Sequence, residues 1–266
     1  MPVAHLSDRA VLELSGEDRI AFLQGLVSND VATGAPVWAA LLTPQGKWQA
    51  DFFVVPSEDT LLLDVEAAQV ASVQARLMRF RLRSKVAMRA RPELSVTAGW
   101  EVPPPPGAFA DPRLPEAGWR LLSAAPPEPD GADYEAHRLR LGLPGGSRDL
   151  EEGQSILLEA GFDELHGVSW TKGCYMGQEL TARTRYRGLV KRRLVPVRID
   201  GALPPRGTPV LREGQEVGEM RSGQGGRGMA VLRLAALRGE GALRCDDAVL
   251  HPEIPAWMRL PEAADA

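Results

Sequence analysis

Cysteine is scarce in this chain: two residues in 266, Cys174 and Cys245. Two distant cysteines give no disulfide framework, so free thiols and a reducing, cytoplasmic setting are expected. Long apolar runs are also missing. The longest, such as "VWAALL" at 37–42, fall far short of the ~20 residues that span a bilayer, so no membrane partner is expected. The N-terminal "MPVAHLSDRA" has neither the apolar core of a secretory signal nor the acid-poor amphipathic pattern of a transit peptide. His5, His137, His166 and His251 are scattered without metal-ligand spacing, and no metal site is expected. There is no Walker loop, no dinucleotide fingerprint after a strand and no nucleophile elbow. The glycine-rich "GQGGRG" at 223–228 has no helix after it and reads as a turn. A net charge of −4 argues against a dedicated nucleic-acid binder.

What is present is an ordinary globular composition with unevenly placed cations. Residues 76–91 hold Arg76, Arg79, Arg81, Arg83, Lys85, Arg89 and Arg91, and residues 183–193 hold Arg183, Arg185, Arg187, Lys191, Arg192 and Arg193. In an acidic chain such clusters are either a solvated basic face or a local site for phosphate, polyglutamate or RNA. Ser15 with Asp18 three residues on predicts a capped helix start, followed by an apolar stripe of Ile20, Leu23 and Val27. Residues 36–66 read as three strands split by "TPQG" and "PSED", and a second helix follows with Val70, Val73, Leu77 and Phe80 on one side. Residues 101–130 hold nine of the 22 prolines, which excludes central strands and helix interiors there and predicts loops and edges. "DYEAHRLRLGLP" predicts a helix stopped by Gly142, and the short strands with glycine turns from about 188 onward predict a small antiparallel barrel. The fold class is α+β with a β-rich C-terminal domain.

One stretch stands apart: "TKGCYMGQEL" at 171–180, which puts Cys174 between Gly173 and Gly177. A free cysteine is usually a small buried hydrophobe. The polar, glycine-flanked setting argues instead for an accessible thiol that Lys172 or a following helix N-terminus would shift toward thiolate. Tyr175 offers a flat face, and Gln178 and Glu179 can hydrogen-bond a polar heterocycle or the loop backbone. Cys245, in the strand-like "ALRCDDAVL", reads as core.

On these residues the chain resembles the YgfZ-type proteins, folate-binding relatives of the T-protein (aminomethyltransferase) of glycine cleavage. The family signature K-G-C-Y-x-G-Q-E is met by Lys172, Gly173, Cys174, Tyr175, Gly177, Gln178 and Glu179, and "FLQGLVSNDV", "LLTPQGKWQADFFV", "RFRLRSKV" and "HRLRLGLPGGSRDL" extend the likeness over nearly the whole chain. It is greatest to the mitochondrial iron–sulfur assembly branch, and without an evident presequence it suggests a bacterial, cytoplasmic counterpart. The resemblance implies a T-protein-like fold of three domains: an N-terminal α+β domain over 1–95, a ferredoxin-like middle domain over 96–187 and a C-terminal β-barrel over 188–260. It implies binding of tetrahydrofolate, with Lys172, Tyr175, Gln178, Glu179 and Arg183 as contacts. It implies a role in assembly or repair of [4Fe–4S] proteins through Cys174, with iron–sulfur assembly proteins or client enzymes as partners. Effects on tRNA modification would be indirect, with at most a weak tRNA contact. Asp51 falls where the T-protein places an acid beside the folate's reactive nitrogen. This leaves a tetrahydrofolate-dependent one-carbon transferase or oxidase as the alternative, with Asp51 otherwise a strand-end carboxylate facing solvent or an arginine.

Overall fold

A computed structural model describes residues 2–261. The elements run β1 (Val3–His5), β2 (Arg9–Ser15), α1 (Arg19–Gln24), β3 (Val37–Leu42), β4 (Trp48–Ser57), β5 (Thr60–Glu66), α2 (Val70–Arg79), β6 (Ala87–Ala90), β7 (Ser95–Gly99), β8 (Phe109–Ala110) and β9 (Trp119–Ser123). They continue through α3 (Tyr134–Leu141), α4 (Gln178–Tyr186), β10 (Arg192–Asp200), β11 (Pro209–Arg212), β12 (Gln215–Gln224), β13 (Arg227–Arg233), α5 (Leu234–Arg238), β14 (Leu243–Cys245) and β15 (Ala248–Pro252). The chain sorts into two compact, interleaved units: Met1–Tyr134 with Leu165–Gln178, and Glu135–Glu164 with Glu179–Ala266.

In the first unit an antiparallel sheet of order β3-β4-β5-β2-β6 is buried on both faces. The two-residue period of the strands assigns the faces. Leu12, Leu14, Phe52, Val54, Leu61 and Leu63 pack on one side with α1 and α2, through Leu23, Val73 and Leu77. Val11 and Leu62 point the other way, into a second cluster with Val96, Ala98 and Trp100 of the sheet β1-β7-β9-β8. The proline-rich stretch supplies the short edge strand β8, paired to β9, as proline's missing donor requires.

Ionic groups are buried on that second side. Arg9 Nε bonds Asp64 at 2.6 Å, Arg120 bonds Asp64 at 2.6 Å and Asp111 at 3.3 Å, and Arg113 bonds Asp111 at 2.7 Å. The Tyr134 hydroxyl accepts from both Arg113 and Arg120, and the two guanidiniums lie 4.9 and 4.0 Å from the Phe53 ring centre. The second unit closes six antiparallel strands into a barrel, β10-β13-β12-β11-β14-β15, which leaves no free edge. Two of its hairpins turn on pairs with φ > 0, Glu213-Gly214 and Gly225-Gly226, the conformation tight hairpins demand. The predicted turn at "GQGGRG" is therefore found. A buried Arg138 anchors α3 by bonding Asp149 at 2.8 Å and Ser222 at 2.8 Å.

Two local expectations fail. Ser15 ends β2 instead of capping a helix, and α1 begins four residues later with no side-chain cap. The Asp18 carboxylate accepts the Lys85 backbone N–H at 2.7 Å instead. Phe80, expected on the buried side of α2, is exposed.

Candidate functional site

The segment 165–178 returns to the first unit and is laced to residues 25–31. Ser169 N–H donates to Ser28 O at 3.0 Å, and Met176 N–H to Gly25 O at 3.0 Å. The Ser28 hydroxyl donates to Gly167 O at 2.6 Å while accepting from Ala40 N–H. Asn29 Nδ2 bridges Trp38 O at 2.8 Å and His166 O at 2.7 Å. Ser28 and Asn29 are buried, so these bonds satisfy backbone groups that water cannot reach.

On this frame Lys172 Nζ donates to Val27 O at 2.7 Å and Asn29 O at 2.6 Å, and lies 5.3 Å from the Tyr175 ring centre. Burial lowers its pKa to about 8, against a smaller opposite pull from Asp30. The lysine thus pins the loop: its bonds run to two carbonyls, where the sequence reading gave its charge to the thiol. Tyr175 is buried, its N–H donating to Gln178 Oε1 at 3.1 Å, and Met176 packs against the main core. Cys174 stands exposed between these anchored neighbours. Gly177 has φ +80, and a Cβ there would lie 2.5 Å from Thr43 O and 3.0 Å from Gly46 Cα. Only glycine lets the loop press so closely on the β3–β4 turn.

Lys172, Cys174 and Tyr175 therefore share one loop, and Gln178 opens α4 directly after it. Glu179 and Arg183 are exposed on α4, one turn apart. Asp51 is elsewhere, buried on β4, where its carboxylate accepts the Trp38 indole N–H at 2.9 Å and the Trp48 indole N–H at 3.0 Å. The expected alternative of a solvent-facing or arginine-paired strand end does not hold, because β4 is covered on both faces. Burial pushes the Asp51 pKa up, with Arg9 and the two indoles pulling the other way. Asp51→Asn would place an amide N–H₂ against an indole N–H; the expected loss is about 1–3 kcal/mol, read as a lower urea midpoint with altered tryptophan fluorescence. Trp38 and Trp48 are core. Cys245 is core too, its thiol pushed up to about 11 by burial.

The two basic segments do not each form one anion site. Arg89 and Arg91 both bond Glu13, Arg91 also bonds Glu93, and Lys85 pairs with Glu17. Arg193 is buried against Leu158 O at 2.7 Å and Glu164 at 2.8 Å, and Arg192 and Arg185 lie within 4 Å of Glu159 and Asp163. Ser28 and Asn29 were missed as site residues, although "SND" is a polar triplet inside an otherwise apolar run. Beside the motif loop, within the first unit, lies a cavity of about 380 Å³ lined by Asn29, Asp30, Thr33, Pro112, His166 and Thr171, among others.

Residues 191–260 match the model of the CAF17 C-terminal β-barrel domain. The chain is 34% identical to the human iron–sulfur cluster assembly factor IBA57, mitochondrial, over 95% of this chain and 84% of that protein. The chain belongs to the IBA57 family. The mouse IBA57 protein is 31% identical over 97% of this chain and 85% of its own length. In fold, glycine cleavage aminomethyltransferase T of Bartonella henselae superposes with a TM-score of 0.73 over 96% of this chain at 14% identity. The T-protein-like α+β fold with a C-terminal barrel is thus as expected. The cytoplasmic placement is overturned, since these IBA57 relatives are named as mitochondrial. Scarcity of cysteine marks a setting independent of disulfides, and does not tell one such compartment from another.

Proposed function

We propose that this IBA57-family chain is an iron–sulfur cluster assembly factor in which Cys174 lends a thiolate to a cluster held jointly with a partner protein. The observation that carries the reading is the exposure of Cys174 on a loop whose neighbours on both sides are fixed. A cluster normally takes four thiolates, so this chain supplies one and assembly proteins or client enzymes supply the rest. The cluster is cargo here. Lys172, Tyr175 and Gly177 act as positioning residues that keep the sulfur outward.

Tetrahydrofolate, the ligand suggested by the finer likeness to YgfZ-type proteins, is proposed for the cavity beside the loop. Its volume lies in the range of small-molecule sites, and Asp30, His166 and Thr171 give it polar walls. When bound, the folate would supply a reduced pterin next to the loop that carries Cys174; Asn29 and Lys172 would hold the wall in place through their backbone bonds. The one-carbon transferase alternative gains no support, because both oxygens of its base, Asp51, are engaged by indoles. Effects on tRNA modification would then arise through iron–sulfur enzymes.

The test is Cys174→Ser in cells depleted of the native protein. Aconitase-type activity and tRNA thiolation are expected to stay at the depleted level, with the variant melting like the native chain because the thiol is exposed. Full rescue by Cys174→Ser would remove the cysteine from the mechanism. Calorimetry with tetrahydrofolate on native and Asp30→Ala chains separately tests the cavity.

A further inference from the structure

The basic stretch 76–91 is a motif that the cysteine loop leaves unexplained, and the structure divides it. Lys85, Arg89 and Arg91 are committed to Glu17, Glu13 and Glu93. Arg79, Arg81 and Arg83 are exposed, and no ion pair reaches them among the described residues. Between them stand Phe80, 41% exposed, and Leu82, 90% exposed, with Ile20 of α1 at 38%. Single surface leucines need no explanation, but large apolar side chains gathered at one place do. Leu82 borders a groove of about 810 Å³ in the first unit, lined also by Asp18, Ala21, Phe22, Arg83 and Ser84. Leu82 also has φ +41, in a turn closed by Ser84 N–H donating to Arg81 O at 2.7 Å. Asparagine, aspartate or glycine would occupy that conformation with less strain. Neither burial nor backbone preference accounts for leucine here.

We propose that this groove docks an acidic segment of a partner protein that carries a bulky apolar side chain flanked by carboxylates. The apolar anchor lies against Phe22 and Leu82, and the carboxylates meet Arg79, Arg81 and Arg83, whose guanidiniums suit paired carboxylate oxygens. Unpaired positive charge sets the sign of the partner, and the exposed Leu82 side chain beside it calls for an apolar anchor. Asp18 on its wall is engaged by the Lys85 backbone N–H at 2.7 Å, so the three arginines set the sign of the groove's rim.

The experiment uses the full chain and a labelled, helix-forming peptide of about five turns, with glutamates flanking a leucine stripe, followed by fluorescence anisotropy. Binding is expected to weaken steeply between about 50 and 200 mM salt. It is expected to fall at least about tenfold in Leu82→Asp, in Arg79→Glu/Arg81→Glu/Arg83→Glu, and with a glutamine-for-glutamate peptide. Aspartate is tolerated at positive φ, so Leu82→Asp should melt as the native chain does. Cys174→Ser should bind the peptide normally, which separates this inference from the cysteine reading. Absence of binding, equal binding by Leu82→Asp, or equal binding of the glutamine peptide overturns the proposal. So does sedimentation with phosphatidylglycerol vesicles that Leu82→Asp abolishes, which would assign the face to a membrane. A dimer in sedimentation velocity that Leu82→Asp dissolves would assign it to a second copy, and equally overturns it.

Discussion

Arg120→Ala is expected to destabilise the first unit by about 3–5 kcal/mol, a loss read directly from urea unfolding. The guanidinium is 3% exposed and has four partners: Asp64, Asp111, the Tyr134 hydroxyl and the face of Phe53. Alanine removes the cation and leaves two buried carboxylates with one arginine each, Arg9 on Asp64 and Arg113 on Asp111. Each carboxylate loses one of its two cations while staying out of water, which is why truncation is severe even where a wholly apolar replacement of the network would not be. The variant also shifts the acid limb of stability. Burial alone would raise the Asp111 pKa, but Arg113 and Arg120 hold it down to about 2, below the ordinary value of 3.8. An acid with a depressed folded pKa stabilises the fold above its unfolded pKa, and that contribution fades as pH falls from near 3.8 through about 2. Without Arg120 the folded pKa rises, so acid unfolding should begin at higher pH. A loss below about 1 kcal/mol would show that the network is not coupled as its geometry indicates.

Gly177→Ala should be the most damaging change within the motif, at about 2–4 kcal/mol, because a positive φ and a backbone collision act together. The added Cβ meets Thr43 O, and neither the β3–β4 turn nor the loop behind Met176 is free to retreat. Gly173→Ala is the control. Its φ is +92, yet nothing lies within 4 Å of a Cβ there, so only the conformational cost of about 1–2 kcal/mol is expected. Denaturation midpoints of the two variants decide the matter. Equal losses would mean that the close approach at Gly177 is not what fixes the loop. If the loop shifts in Gly177→Ala, alkylation of Cys174 should change rate as well, whereas in Gly173→Ala a similar stability loss per unit of reactivity is not expected.

Patterns of period carried most of the fold into view. The strand meander over 36–66, the helix ending at Gly142 and the C-terminal barrel all follow from alternation, helical spacing and glycine turns, which are local signals. Strand β4 shows where that legibility ended. "WQADFFVV" alternates, but a one-sided sheet would send Asp51 to water, and only the second sheet reveals that both faces are covered. Likewise the cations of 76–91 and 183–193 looked alike in the sequence, and long-range partners such as Glu13 and Glu164 separated them. At the site, Cys174 announced itself through its glycines and polar neighbours. The role of Lys172 did not, because its acceptors are two carbonyls about 145 positions away, and no side-chain pattern records a backbone acceptor.

The order in which the chain is made has a bearing on that site. A ribosome finishes residues 135–164, which belong to the other unit, before it reaches the stretch that completes the first. Until position 178 has emerged, Ser28, Asn29 and the carbonyl of Val27 must wait on water, for a time on the order of seconds at ordinary translation rates. The cysteine therefore arrives together with the last piece of its own support, so the thiol and the carbonyls that hold its loop are brought together in the final closure of the first unit.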